Sequence, residues 1–383
     1  MGEPKICVYA ICKNEEKFLP RWIESLREAD YISVLDTGSS DNSLAVLKGY
    51  SPFVYFEQKV YDNFRFDVAR NDAMKLIPED AEICVVSDCD QVFRPGWAKA
   101  IKEAWMNGYR DITGPIIDYD EEGNEEKRFL SKNVHEHSDK WVWERPVHEG
   151  LVYKYDEGEA PLPYIELEDF VIEHHQDKSK DRNYYLDLLE EEYKENHKDP
   201  TCMIYYGCEL SFHNKLEEAL SVFLRGEKEC DFSNEPKIGS QTIINISIAC
   251  RKLNLYEKSL EYAIKAFDYG IKTRKVIVNL ARVMKEIGRF NDAQILYRLA
   301  IKEVPEEDDS WIEDHTLFNG QIYKELSEIY SIIGNTKRAI DYLYLYRKEA
   351  TLSDQEKDRL DNEIKEAIQT VIATEFGGGG SAA

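Results

Sequence analysis

The stretch Glu82-Ile83-Cys84-Val85-Val86-Ser87-Asp88-Cys89-Asp90 decides the reading of this chain. Its apolar run has the length of a buried strand, and two aspartates one residue apart stand where that strand emerges. Carboxylates so placed can hold a divalent cation, and a cation there can hold a diphosphate. A D-x-D alone is weak evidence, because paired aspartates also suit turns. Here it is the fourth member of an ordered series.

Lys5 to Cys12 is a β-rich apolar run ending in the polar turn Lys13-Asn14-Glu15-Glu16, which opens a helical stretch to about Leu26. Tyr31 to Leu35 is a second run. It ends in Asp36-Thr37-Gly38-Ser39-Ser40-Asp41-Asn42-Ser43, turn chemistry with Ser or Asp available to cap the next helix. Phe53 to Phe56 is a third, and Phe64-Arg65-Phe66-Asp67-Val68-Ala69-Arg70-Asn71 leads into another helix. Strands alternating with helices predict βαβ units on a mostly parallel sheet. In such sheets ligands bind beyond the carboxyl ends of the strands. Lys13-Asn14-Glu15, Asp36 and Asp88-Cys89-Asp90 all fall at such ends.

The series K-N-E-E, L-D-T-G-S-S-D, F-D-V-A-R-N and D-x-D resembles the inverting family 2 glycosyltransferases of the GT-A fold. Arg145-Pro146-Val147-His148-Glu149, Ile172-Glu173-His174-His175 and Lys178 through Arg182-Asn183 continue the likeness. With a helical-repeat tail, the layout is similar to the branch that holds the sublancin-type peptide S-glycosyltransferases. The metal motif departs from the common D-A-D-E form, with Cys89 in the middle and Gln91 after it.

The resemblance implies a Rossmann-like α/β GT-A domain for nucleotide-sugar binding, followed by an all-α, TPR-like repeat domain. It places Lys13, Asn14, Glu15, Asp36, Arg70, Asn71, Asp88, Lys178 and Arg182 on the donor, and a Mn²⁺ or Mg²⁺ ion on Asp88, Asp90 and His174 or His175. His174 is the better positional match. Glu149 and His148 are the candidates for the base that takes the acceptor proton. Each has a plainer alternative. Asp36 can be a turn or N-cap aspartate, and Arg70 can pair with Asp67 on its own helix. His148 and Glu149 can be a polar network that shapes a pocket, and Trp141 and Trp143 can be core residues of a half-buried strand. Lys178, Lys180 and Arg182 can be a solvated face balanced by Glu190 to Glu192.

From about Pro200 strand signals give way to amphipathic helical periods. Asn214-Lys215-Leu216-Glu217-Glu218-Ala219, Leu255-Tyr256-Glu257-Lys258-Ser259, Gly288-Arg289-Phe290-Asn291-Asp292-Ala293 and Gly334-Asn335-Thr336-Lys337-Arg338-Ala339 repeat one design, a polar turn leading into a helix. The small residues Ala219, Ser259, Ala293 and Ala339 stand 40, 34 and 46 residues apart. The 34-residue step is the tetratricopeptide period, and the longer steps imply insertions or lengthened helices. The expected organisation is a catalytic domain over 1–199 and a repeat domain over 200–372. The tail 377–383, Gly-rich, reads as a flexible linker.

The formal net charge of −25 disfavours a general nucleic-acid binder. No N-terminal signal pattern and no apolar run of spanning length are visible in the sequence. Eight cysteines lack any C-x-x-C pair, and most are expected as small core residues of a cytoplasmic, reduced protein; Cys89, between the motif aspartates, is expected to pack inward rather than ligate. The function expected is transfer of a sugar, from a UDP-sugar donor, to a Cys, Ser or Thr nucleophile on a peptide or protein that engages the repeats. Other readings are a glycan, lipid or phage-DNA acceptor, or a non-catalytic scaffold that binds protein through its repeats. A homodimer is compatible with the repeats.

Overall fold

The computed structural model describes residues 2–119, 125–175, 184–269, 273–303, 320–350 and 352–376. Every apolar run of the N-terminal series is a strand: β1 (Ile6–Cys12), β2 (Tyr31–Asp36), β3 (Val54–Gln58) and β4 (Ile83–Val86). Between them lie α1 (Leu19–Ser25), α2 (Ser43–Gly49) and α3 (Phe66–Met74). The strands pair in parallel in the order β3-β2-β1-β4, with Cys12 opposite Asp36 in register. The carboxyl ends of β1 and β2 thus open side by side, and the Asp88 turn emerges next to them.

Alternation along β1 separates two cores. Ile6, Val8, Ala10 and Cys12 face one layer with Trp22, Trp97 and Phe170, while Cys7 and Tyr9 face another with Cys84, Trp141 and Trp143. Cys89 is 2% exposed and packs in the first of these cores, as expected of a structural thiol. Trp22 of α1 donates its indole N–H to Ser87 Oγ at 2.9 Å, which seats the helix under the strand that delivers Asp88.

Beyond β4 the sheet becomes mixed. After β5 (Gln91–Phe93) and α4 (Trp97–Met106) come β6 (Asp111–Tyr119) and β7 (Glu125–Glu136), a long antiparallel hairpin. Next are β8 (Trp141–Glu144), β9 (Gly150–Tyr153), β10 (Tyr164–Glu166) and β11 (Ile172–His174). The main sheet runs β3-β2-β1-β4-β7-β6-β11-β5, with β10 also on β6, while β8 and β9 form a separate antiparallel pair. The mostly parallel sheet expected from the sequence therefore holds: besides the first four strands, β10 and β11 pair in parallel with β6. β7 and β5 run antiparallel to their neighbours.

The chain divides into two compact units, Met1–Leu188 and Leu189–Ala383, with the division inside α5 (Tyr184–Asn196). The second unit is helical: α6 (Pro200–Phe212), α7 (Leu216–Glu229), α8 (Pro236–Lys252), α9 (Tyr256–Asp268), α10 (Arg274–Glu286), α11 (Phe290–Glu303), α12 (Gln321–Ile332), α13 (Thr336–Glu349) and α14 (Asp354–Phe376). At the start of α6, Asp199 accepts from the Cys202 N–H and Pro200 fills the first helical turn, two strong start signals. Helices α6, α8, α10 and α12 each turn into their partner through a left-handed residue: Asn214, Asn254, Gly288 and Gly334. These are the residue types that tolerate positive φ at a helix end.

The repeated small residues Ala219, Ser259, Ala293 and Ala339 are all buried, at 2% exposure or less, so they admit the partner helices as the repeat reading requires. The 40-residue step coincides with a lengthened helix, α8 having 17 residues against 13 for α10. The segment that would account for the 46-residue step and the tail 377–383 lie outside the described residues. Among the described residues no helix is long and apolar enough to cross a membrane.

Gly114 is where β6 passes closest to its surroundings, since a Cβ there would sit 2.1 Å from the Phe170 carbonyl oxygen. Gly114→Ala should therefore lower the unfolding free energy of the first unit by about 1–3 kcal/mol in urea denaturation. Gly49→Ala, whose Cβ meets nothing within 4 Å, should be neutral or slightly stabilising. Equal effects would mean that the β6–Phe170 approach is not tight.

Candidate active site

Arg70 stands at the centre of the site. It lies on α3, the helix that follows β3, and its side chain is only 9% exposed. Its Nε–H donates to Glu149 Oε1 at 2.6 Å and its Nη2–H to Asp88 Oδ1 at 2.8 Å. The guanidinium lies over the Trp143 ring, 4.9 Å from the centroid. Burial works against its charge, but Asp88 and Glu149 outweigh that and raise its pKa. The alternative pairing with Asp67 is not formed, because Asp67 takes Arg65 instead, at 2.8 Å.

Asn71, expected at the donor, holds the neighbouring strand. Its Nδ2–H donates to the Trp143 carbonyl and its Oδ1 accepts from the Trp143 N–H, at 2.8 and 2.9 Å. That clamp fixes the ring on which Arg70 rests. Trp141 and Trp143 are core residues, 3% and 7% exposed. Beneath them Trp143 Nε1–H donates to Tyr9 Oη, and Tyr9 in turn meets His135 Nε2 at 3.0 Å. His135 Nδ1–H donates to the Glu136 carbonyl, so Nε2 is the acceptor.

The turn after β1 is tied to the turn after β2. Asn14, at φ +58°, accepts on Oδ1 from Ser40 N–H at 2.7 Å, and its own N–H donates to Ser39 Oγ. Glu15 N–H donates to Ser43 Oγ at 2.8 Å, and Glu15 is buried. Asn14 is thus a clasp between two loops, while Lys13 is exposed with its ammonium 5.9 Å from the Phe64 ring. Asp36 is fully buried at the end of β2. Its Oδ1 accepts from Gly38 N–H, Ser39 N–H and Gln58 Nε2, while its Oδ2 is buried with no hydrogen-bond partner.

Asp88 is the more open of the two motif aspartates, with 46% of its side chain exposed against 12% for Asp90. Gln91 completes the turn: its Oε1 accepts from Asp88 N–H at 3.1 Å and Ser87 Oγ–H at 3.2 Å. His174, at the end of β11, is the histidine whose ring meets Asp90, Nε2 lying 3.5 Å from Asp90 Oδ1. Its Nδ1–H donates to Asp118 Oδ1 at 2.7 Å. His175 points the other way, stacking on Tyr119 at 5.6 Å, while its N–H donates to the Asp90 carbonyl. Among the described residues no three His, Cys, Asp or Glu side chains converge on one point. Asp118 stands behind His174, on the ring's far nitrogen.

Glu149 and His148 follow a tight loop in which Arg145 and His148 both have positive φ, +83° and +52°. The loop turns His148 outward, edge-on to Tyr185 at 6.3 Å, while Glu149 turns inward to Arg70. Lys178 and Arg182 lie outside the described residues. Sequence reasoning missed Asp118, Gln58 and the clasp made by Ser39 and Ser43. Only the register of β6 with β11 singles out Asp118.

Residues 7–158 match the family described as Glycosyl transferase family 2. The span includes Asp36, Arg70, Asp88, Asp90 and Glu149, and the first unit carries a glycosyltransferase domain. No curated protein matches the chain. Solved structures similar to this chain include YrrB, described as a TPR protein with an unusual peptide-binding site, at 13% identity and TM-score 0.36, covering 50% of this chain and 87% of that one. PilW, a type IV pilus biogenesis factor, is 16% identical at TM-score 0.38, covering 51% and 86%. A thermophilic TPR protein from Thermus thermophilus is 16% identical at TM-score 0.35, covering 48% and 89%.

Two histidines of the first unit should titrate on opposite sides of the usual value. For His174, burial opposes the charge, but Asp118 and Asp90 raise the pKa to about 10. Its imidazolium therefore contributes stability that is full below pH 6.5 and lost as pH rises through about 10. Burial lowers His135 to about 4, so its contribution is present above pH 6.5 and lost as pH falls through about 4. In EDTA at pH 7, histidine NMR should show His174 doubly protonated and His135 neutral. A neutral His174 at that pH would contradict the Asp90–His174–Asp118 arrangement.

Proposed function

We propose that the protein is a metal-dependent, inverting glycosyltransferase of hexosyltransferase type, taking a UDP-sugar as donor and a Cys, Ser or Thr side chain of a peptide or protein as acceptor. The observation that carries this reading is the partnerless, buried Oδ2 of Asp36 at the end of β2, one strand removed from β4 and its Asp88 turn. A buried acceptor left without a donor is costly, and the imide N–H of uracil or a ribose hydroxyl supplies one.

The residues present fit a divalent ion. The 3.5 Å between Asp90 Oδ1 and His174 Nε2 is near the separation of about 3 Å between adjacent ligands of one octahedral ion. Two protein ligands suffice where substrate phosphates complete the shell, as is usual for Mg²⁺, and oxygen with imidazole also suits Mn²⁺. Asp90 and His174 would hold the ion, with Asp88 beside it on the ribose or a water. When bound, the ion acts as a Lewis acid on the departing diphosphate.

The chain's own groups do the rest. Asp36 and Gln58 recognise the nucleoside, and Trp143 shields Arg70 from below. Arg70 fixes Asp88 on the donor side relative to Glu149 on the acceptor side. A single displacement needs a base opposite the leaving group, and His148 or Glu149 receives the acceptor's proton. A thiol acceptor needs less help, since part of it is ionised at neutral pH.

A stack of helix pairs can offer an acceptor peptide a concave face. Between α6 and α8 the helical unit has a cavity of about 110 Å³ lined by Ser211, Asn245, Ile248 and Lys252, among others. Asn245 is oriented there by Gln241 and Cys208. A second binding site for the acceptor on the same chain raises its local concentration for the reaction.

A panel of nucleotide sugars, with and without Mn²⁺, tests the reading by hydrolysis and by transfer to candidate peptides. Hydrolysis should be selective for a UDP-sugar, need the ion, and vanish in Asp90→Ala. Asp36→Ala should weaken UDP binding by about 1–3 kcal/mol. Lys252→Glu should reduce transfer to a peptide and leave hydrolysis unchanged. Full activity in EDTA would rule out the metal, and undiminished UDP affinity in Asp36→Ala would misplace the donor. Undiminished transfer in Lys252→Glu would remove this cavity from the acceptor's path.

A further inference from the structure

We infer that Asp118 is a positioning residue of the cation site, a role that rests on the metal-dependent reading above. The parallel pairing of β6 with β11 sets Asp118 opposite His174 in register, so the two side chains share one face of the sheet. His174 Nδ1–H donates to Asp118 Oδ1 at 2.7 Å. A ring held by its Nδ1–H in this way turns Nε2 to the opposite side, where a cation that displaces the Nε2 proton would meet its lone pair. Asp90 Oδ1 lies there, 3.5 Å away.

A carboxylate behind a ligating histidine fixes the tautomer and rotation of the ring and makes its free nitrogen a better donor. Neighbouring groups leave this task to Asp118. Gln91, opposite His174 on the other flank through β5, places its Oε1 on Asp88 N–H and Ser87. Glu173 turns to Arg94, at 2.8 Å. His175 stacks on Tyr119. The half-buried Asp118 carboxylate is held within the sheet, and its hydrogen bond to His174 fixes the ring that faces Asp90.

A pair that merely joined two strands would affect stability and nothing else, so the test reads the ion and the ring directly. In the full chain without donor, Mn²⁺ affinity is measured by EPR for wild type, Asp118→Asn and Asp118→Ala. ¹⁵N-histidine spectra of the Mg²⁺-loaded wild type report the His174 tautomer. Expected are an Nδ1-protonated His174 and Mn²⁺ binding weaker by about 10- to 100-fold in Asp118→Ala, with a smaller loss in the isosteric Asp118→Asn. UDP affinity in EDTA should stay at the wild-type value in both variants. An Nε2-protonated ring, or wild-type Mn²⁺ affinity in Asp118→Asn, overturns the inference and leaves the metal reading standing. A wild-type chain that binds no Mn²⁺ overturns both.

Discussion

The first unit's site depends on keeping one guanidinium charged out of water. Arg70 is nearly buried, and a buried charge persists only if opposite charges and hydrogen bonds surround it. Asp88 and Glu149 meet that demand from two different loops, and Trp143 covers the flat face of the group. For the buried partner, Glu149, removal from a pair of this kind typically costs about 3–5 kcal/mol. The turn after β4, the loop before β9 and helix α3 are thereby fixed to one another. Asn71 extends the constraint to β8, and the strained turn at Arg145 and His148 is held in the same place.

The same geometry orders the site chemically. Asp36 ends β2 and Asp88 and Asp90 follow β4, the strands on either side of β1, while Glu149 stands across Arg70 from Asp88. An acidic chain thus gathers its carboxylates where a cation or a sugar nucleotide's hydrogen-bond donors can satisfy them. In the helical unit the governing constraint is steric. Gly207 lets α7 come so near that a Cβ would lie 2.3 Å from the Phe223 ring, and Ala219, Ser259, Ala293 and Ala339 serve the same close packing in successive pairs.

Much of this was legible in the sequence because hydrophobic period and turn chemistry are local. β1 to β4 and the start of α6 at Asp199-Pro200 declare themselves over a few residues. Of the two adjacent histidines, strand alternation turns the His174 ring toward Asp90 and the His175 ring away. What could not be read depends on pairing between distant segments. The charge run Glu125 to Arg128 carries no strand pattern, and its pairing with β6 is set by the hairpin. Asp118 is an ordinary aspartate until β11 is laid beside it. Asn14 and Asn71 look like ligand amides, and only the structure reveals that each grips backbone. Lys178 and Arg182 lie outside the described residues.

A crystal structure of the full chain with UDP and Mn²⁺ tests the donor site most directly. Anomalous density between Asp90 Oδ1 and His174 Nε2, shared with the diphosphate, is expected, together with a uracil or ribose donor on Asp36 Oδ2. UDP bound elsewhere, with Asp36 Oδ2 still lacking a partner and no ion at Asp90, would contradict a donor site at these strand ends.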